Sequence, residues 1–295
     1  MKFNLFKKKE YTFDLEVMRI CKVCSNTFHG RYCNICGEKV FESHERSLLN
    51  FLDSLLNAFT FLDGKFIQSL KLLLTRPGQL SRNIADGMRV PYMKMVSLFF
   101  VANFFYFLFP VFDSFNSSLH TQMNSLGEHS IRAREIVKQK VERDKIDIQE
   151  FKRDYQNQST NLSKLLIVLL VIMLTGILTI VNYSRSAYFF DHLLFALEYY
   201  SFHLLINLVI LANGFKLLIQ LVSQWGLDWS ALLSDEIFSL VVSINVFYFL
   251  IRGQQIFYKQ KWYWAIARSA VIFYLIQQTV YLYRTSLFYI TMWFM

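Results

Sequence analysis

Proline is nearly absent, with three residues among 295, and glycine and cysteine are scarce at ten and four. Charge is thin as well. Asp, Glu, Lys and Arg make up 18% of the chain, against about a quarter in soluble domains. A disordered chain needs many charges and few apolar residues, whereas 54% of these residues are hydrophobic and 17% aromatic. All four cysteines lie between Cys21 and Cys36, so a disulfide framework through the chain is excluded. Walker, GxGxxG, GxSxG and HExxH motifs are missing, which argues against ATP-driven transport and the best-known hydrolases. The first nine residues, MKFNLFKKK, lack the apolar stretch of a signal peptide. The first membrane helix is therefore expected to direct insertion. A soluble enzyme is the wrong class.

What is present is apolar length. A spanning helix needs about 20 predominantly apolar residues. Five stretches qualify, at about 95–112, 165–181, 192–220, 232–251 and 265–291. Backbone groups in hydrocarbon must bond internally, so these runs read as helices. The expected fold class is a mainly α, polytopic membrane protein of about five transmembrane helices.

Charge sets the expected orientation. Residues 1–94 hold fifteen Lys/Arg against nine Asp/Glu, and the short connections 183–191 and 252–264 carry Arg185, Arg252, Lys259 and Lys261. The connection 221–231 has no Lys or Arg. Positive loops stay inside, which predicts a cytosolic amino terminus and an extracytoplasmic carboxyl terminus. The net charge of +9 is thus assigned to lipid headgroups rather than to nucleic acid. The loop 113–162 balances eight cations against eight anions and falls outside the membrane on this topology. Its stretch 128–155 alternates in sign and reads as one solvated, charge-paired helix.

The amino-terminal part divides in two. Residues 1–44 form a basic terminus with a cysteine motif, and residues 45–93 read as amphipathic interfacial helices. Ser47 can cap an apolar-periodic stretch through Phe59; Asp63-Gly64 breaks it, and Phe66–Leu74 resumes it. Each half is too short to span, so both are placed along the interface or under the bundle. The remainder, 94–295, is the membrane domain.

The most specific motif is Cys21-Lys-Val-Cys24, eight residues, then Cys33-Asn-Ile-Cys36-Gly37. Two CxxC knuckles can set four thiolates tetrahedrally around one soft cation, and Gly37 suits the left-handed turn beside the second. Phe28 and Tyr32 point to a small β-hairpin between them. Structural zinc, one per chain, is the expected ion; rubredoxin-like iron, a disulfide pair and redox chemistry remain alternatives.

A second cluster is intramembrane. Asp191, His192, Glu198, His203, Asn207, Asn213 and Lys216 lie on the third span. Charged groups there cost roughly 2.5–3.5 kcal/mol on insertion scales, which makes them functional candidates by default. By depth, Glu198, His203 and Asn245 are expected to meet. They could form a proton relay, an acid/base pair or a second metal site, with His192 nearby; the competing reading is a hydrogen-bonded packing network.

The order of motifs resembles an uncharacterised bacterial family, domain of unknown function 3667. The resemblance rests on Cys33-Asn-Ile-Cys36-Gly37-Glu-Lys39, Thr75-Arg-Pro-Gly78, Asp86-Gly-Met-Arg89 with Pro91-Tyr92, and Asp191-His-Leu-Leu-Phe-Ala-Leu197. It implies a cytosolic zinc ribbon fused to a small helical domain of the bacterial inner membrane. It also implies histidines after His192, where this chain has Glu198 and Tyr200. Three functions follow as expectations. The first is a zinc-ribbon interaction module that docks a protein partner; the others are a membrane enzyme on a lipid-like substrate using Glu198 and His203, and a small ion or proton pathway through the same groups.

Overall fold

The computed structural model describes residues 14, 16–21, 23–37, 40, 64–111, 115–116, 118–124, 128–184, 188–224 and 235–295. The chain separates into two compact units, 1–63 and 64–295. The expected helix from Ser47 to Phe59 and the connection at Arg185 lie outside the described residues.

In the first unit, β1 (Met18–Ile20) pairs antiparallel with β2 (Thr27–His29), Arg19 facing Phe28. The two-residue period of β2 turns Phe28 inward against Cys21, Cys33 and Val40. This core is far too small to stand on burial alone.

The second unit is helical. Helices α1 (Gly64–Thr75) and α2 (Gln79–Ala85) lead to α3 (Met95–Leu108). Next come α4 (Leu119–Asn124), α5 (Glu128–Asp144) and α6 (Ile148–Val181). One continuous helical run follows: α7 (Phe189–Phe202), a π-helical stretch (His203–Leu211) and α8 (Ala212–Gln224). The last two are α9 (Asp235–Ile256) and α10 (Trp262–Phe294).

Among the described residues, four helices are long and apolar enough to cross a membrane: Ile148–Val181, Phe189–Leu221, Glu236–Ile256 and Trp262–Phe294. The fifth expected span is shorter. Helix α3 has 14 residues, about 21 Å at 1.5 Å per residue, because Pro110 follows and Phe109 leaves helical geometry at φ −122° and ψ 59°. Helix α10 packs on both α6 and α9, α6 packs on α7, and α3 lies on α7 and the π stretch. Helix α3 shows how each face is used. Leu98, Phe99 and Ala102 are buried, whereas Val96, Phe100, Phe104 and Leu108 form an exposed apolar stripe at four-residue spacing. Similar apolar side chains stand exposed on α6 (Leu165, Ile172, Ile180) and α9 (Leu240, Ile244). On helices of this length and apolarity such surfaces suit contact with lipid. Within lipid, close packing and hydrogen bonds rather than transfer from water hold the helices together.

The charged segment 128–155 is two helices, not one solvated rod. Lys145 turns left-handed at φ 52°, and Asp147 restarts the chain by accepting the Gln149 amide at 2.8 Å. From there α6 runs unbroken into its apolar half. Helix α5 has a buried face: Ala133 and Val137 meet Phe151, Tyr155, Phe288 and Met292, and Lys140 donates to the Met292 carbonyl at 2.7 Å. The carbonyl end of α10 is thereby capped by a cation.

His129 on α5 sits edge-on to Phe288 and Tyr289 and bonds Gln122 at 2.8 Å, and burial holds its imidazole below the ordinary 6.5. A depressed folded value means the unfolded state takes up the proton first as pH falls. The stabilisation is therefore present above about pH 6.5 and is lost below it. Amide protection factors across α4 and α5 should drop between pH 7 and pH 5, and His129→Phe should remove most of that dependence.

Candidate metal centre and the polar interior of the bundle

Both cysteine knuckles have the same backbone. Ser25 and Gly37 each follow the second cysteine, both adopt positive φ (58° and 76°), and each donates its N–H to the carbonyl of the first cysteine at 2.9 Å. This fold-back turns the intervening amides toward the sulfurs. The Cys36 amide is the main reason the Cys33 thiol falls to about 6; the Cys24 amide chiefly lowers Cys21. Asn26 joins the knuckles by donating to Asn34 at 2.8 Å.

The four sulfurs lie within 4.8 Å of one another, with Cys21 and Cys36 3.4 Å apart and Cys24 and Cys33 3.6 Å apart. A tetrahedral ion with bonds of about 2.3 Å places sulfurs about 3.8 Å apart, so the set fits one ion. None of the four is in a disulfide. Four cysteines fill a tetrahedron and leave no position for a substrate. His29 stays out of the set and bonds the Glu16 carbonyl at 2.9 Å.

The polar groups of the third span are placed in three separate settings. His192 Nδ1 lies 2.9 Å from the Tyr258 hydroxyl, the two rings stacked. His203 Nδ1 lies 3.1 Å from Asn207 Nδ2, and Asn207 Oδ1 accepts from Asn245 at 2.5 Å. The rings of Tyr199 and Phe115 flank His203. His203 and Asn245 are thus joined through Asn207, inside the π-helical stretch.

Glu198 is directed elsewhere. It is completely buried, and its two oxygens accept the backbone amides of Gly78 and Ser81, each at 2.8 Å. Helix α2 begins at Gln79, so its first-turn amides have no intrahelical partners, and the carboxylate also complements the helix dipole. A residue on a membrane helix caps a short helix 120 positions earlier. Ser81 adds a second tie, donating from Oγ to the Leu194 carbonyl at 3.1 Å.

Two glycines permit the approach. Gly78 has φ +83°, and a Cβ there would stand 2.8 Å from the Gly253 Cα on α9; a Cβ on Gly253 would run into the Phe195 ring. The sequence marked Thr75-Arg-Pro-Gly78 as part of the family resemblance, and Gly78 and Ser81 were not legible as the partners of Glu198. Gly253 falls in the stretch 252–264 that reads from sequence as a connection, so no sequence signal marked its approach to Gly78.

These features define an integral membrane protein of packed helices carrying a four-cysteine cluster able to hold a metal ion. Residues 63–107 match the family described as Protein of unknown function (DUF3667). The match takes in Thr75–Gly78, Asp86–Arg89 and Pro91-Tyr92 but neither the cysteines nor the third span. No curated protein and no solved structure matches the chain.

Proposed function

We propose that this chain is a bacterial inner-membrane protein whose cysteine module holds one structural zinc ion and docks a protein partner, tethered by the chain to a helical membrane domain. On this reading the amino terminus is cytosolic, the carboxyl terminus is extracytoplasmic, and α4 and α5 lie outside the cell membrane. The positive connections support that orientation.

The carrying observation is the surface around the closed sulfur cluster. Ile20, Val23, Tyr32 and Ile35 stand 59–70% exposed on a module with almost no apolar interior. Val23 and Ile35 hold the same position, third in their respective CxxC knuckles. Apolar side chains repeated around a closed metal site suit contact with a partner better than they suit water. Both oxygens of Glu198 accept backbone amides, which supports a structural role for that carboxylate over the enzyme and transport readings.

Photo-reactive residues substituted at Ile20 or Ile35 test the reading in intact membranes. Cross-linking to a discrete protein should occur and should vanish when Cys33 and Cys36 are both serine. No adduct, or an unchanged adduct in the serine variant, overturns it.

A further inference from the structure

A cavity of about 550 Å³ opens at the end of the bundle where α6 and α9 finish and α7 and α10 start. Its walls carry Arg82, Lys259, Lys261 and Arg268 against Asp86 and Asp191. Arg82 is neutralised by Asp86 at 2.8 Å and also donates to the Ile256 carbonyl at 3.3 Å. Asp191 Oδ2 accepts the Tyr188 amide at the start of α7, at 3.1 Å. Among the described residues, Lys259, Lys261 and Arg268 are in no ion pair. They face a single remaining carboxylate, which leaves an excess of two positive charges.

The floor is built rather than incidental. Asn182 is 3% exposed, and its Oδ1 accepts from Gln260 at 3.1 Å and Arg268 at 3.3 Å. Its Nδ2 is closed off from the cavity and lies against the Tyr258 hydroxyl. Asn182 is therefore a fixed anchor in the floor. The guanidinium of Arg268 is held next to it.

The rim identifies the environment. Tyr183 and Trp264 line the cavity and are well exposed, and Trp262, Tyr188 and Phe189 stand exposed at the same helix ends. Aromatic side chains with a polar edge collect at the membrane–water boundary. The cavity therefore opens at headgroup level, on the side that the positive connections assign to the cytosol.

We propose that this cavity binds a phosphate-bearing anion, with Lys259, Lys261 and Arg268 neutralising it and Asn182 Oδ1 holding the Arg268 guanidinium in place. An excess of two positive charges matches a phosphate ester, and the volume exceeds what a small carboxylate would fill. The same chemistry is offered by a phospholipid headgroup and by a soluble phosphate ester. This inference does not depend on the cysteine module.

The full chain, purified in a neutral detergent, is titrated with dioleoyl-phosphatidylglycerol, dioleoyl-phosphatidylcholine and glycerol 1-phosphate, with binding read by native mass spectrometry. Phosphatidylglycerol should bind at a defined stoichiometry in preference to phosphatidylcholine. Asn182→Asp keeps an acceptor oxygen for Gln260 and Arg268 while setting a negative charge beside Arg268, and should weaken binding at least about tenfold. The double substitution Lys259→Gln/Lys261→Gln removes only exposed side chains, so it preserves the fold and should weaken binding severalfold. Competition by glycerol 1-phosphate assigns the site to a soluble ester; its failure to compete assigns the site to lipid. Equal retention of both lipids, or phosphatidylglycerol binding unchanged in both variants, overturns the proposal.

Discussion

Changing Cys33 and Cys36 together to serine will remove the metal, taking zinc from one ion per chain to none in mass spectrometry of detergent-purified protein. The expectation comes from the geometry of the set. Two of four ligands are lost, and the remaining pair, Cys21 and Cys24, belongs to a single knuckle. The structural consequence should be large, because β1 and β2 are three residues each and the core beside them is Cys21, Phe28, Cys33 and Val40. Structural zinc contributes about 10–16 kcal/mol in peptides of this kind, far above what that core can supply. Protease sensitivity should therefore rise sharply in residues 14–40, while thermal unfolding of the helical unit stays near that of the wild type. Metal retained by the serine variant would sink the assignment and direct attention to His192, Glu198 and His203. Among the described residues, however, only the four cysteines are grouped to hold an ion. Iron in place of zinc would keep the site and change its chemistry.

The sequence announced the cysteine knuckles and the long apolar helices because both signals are local. Spacing alone brings Cys21 near Cys24, and hydropathy alone marks the spans. Helix ends were less legible: Pro110 stops α3 early, and Asp147 splits a charged stretch whose sign alternation looked continuous. The face of α5 that carries Ala133 and Val137 was also hidden, since alternating charge dominates the pattern there. Least legible was the pairing of Glu198. Depth in the membrane placed it beside His203 and Asn245, but depth is one coordinate. The direction of a side chain around its helix depends on which neighbour approaches. Here the neighbour is a loop 120 residues away, admitted by Gly78 and Gly253. The π-helical stretch that gathers His203 and Asn207 has no composition signal at all.

That pairing yields the second large effect. Glu198→Ala should leave two buried amides, those of Gly78 and Ser81, without acceptors. At about 1–3 kcal/mol each, the loss amounts to roughly 2–6 kcal/mol. Glu198→Gln keeps one acceptor oxygen but sets an NH2 group against the other amide, so its loss should be about 1–3 kcal/mol. For a chain of this size each kcal/mol lowers Tm by about 2–4 °C, which puts both variants within reach of detergent thermal melts. Gly78→Ala attacks the same contact from the other side. Its Cβ would meet the Gly253 backbone at 2.8 Å, in a conformation that L-residues avoid. If the carboxylate works by holding this loop, Glu198→Gln and Gly78→Ala should be strongly non-additive, because either one already releases it. Independent, summing losses would mean that the loop is held by something else. A Glu198→Gln protein that melts like the wild type yet loses a cellular function would mean the carboxylate acts as an acid or base. With both oxygens on backbone amides and no exposure to water, stability is the quantity expected to move.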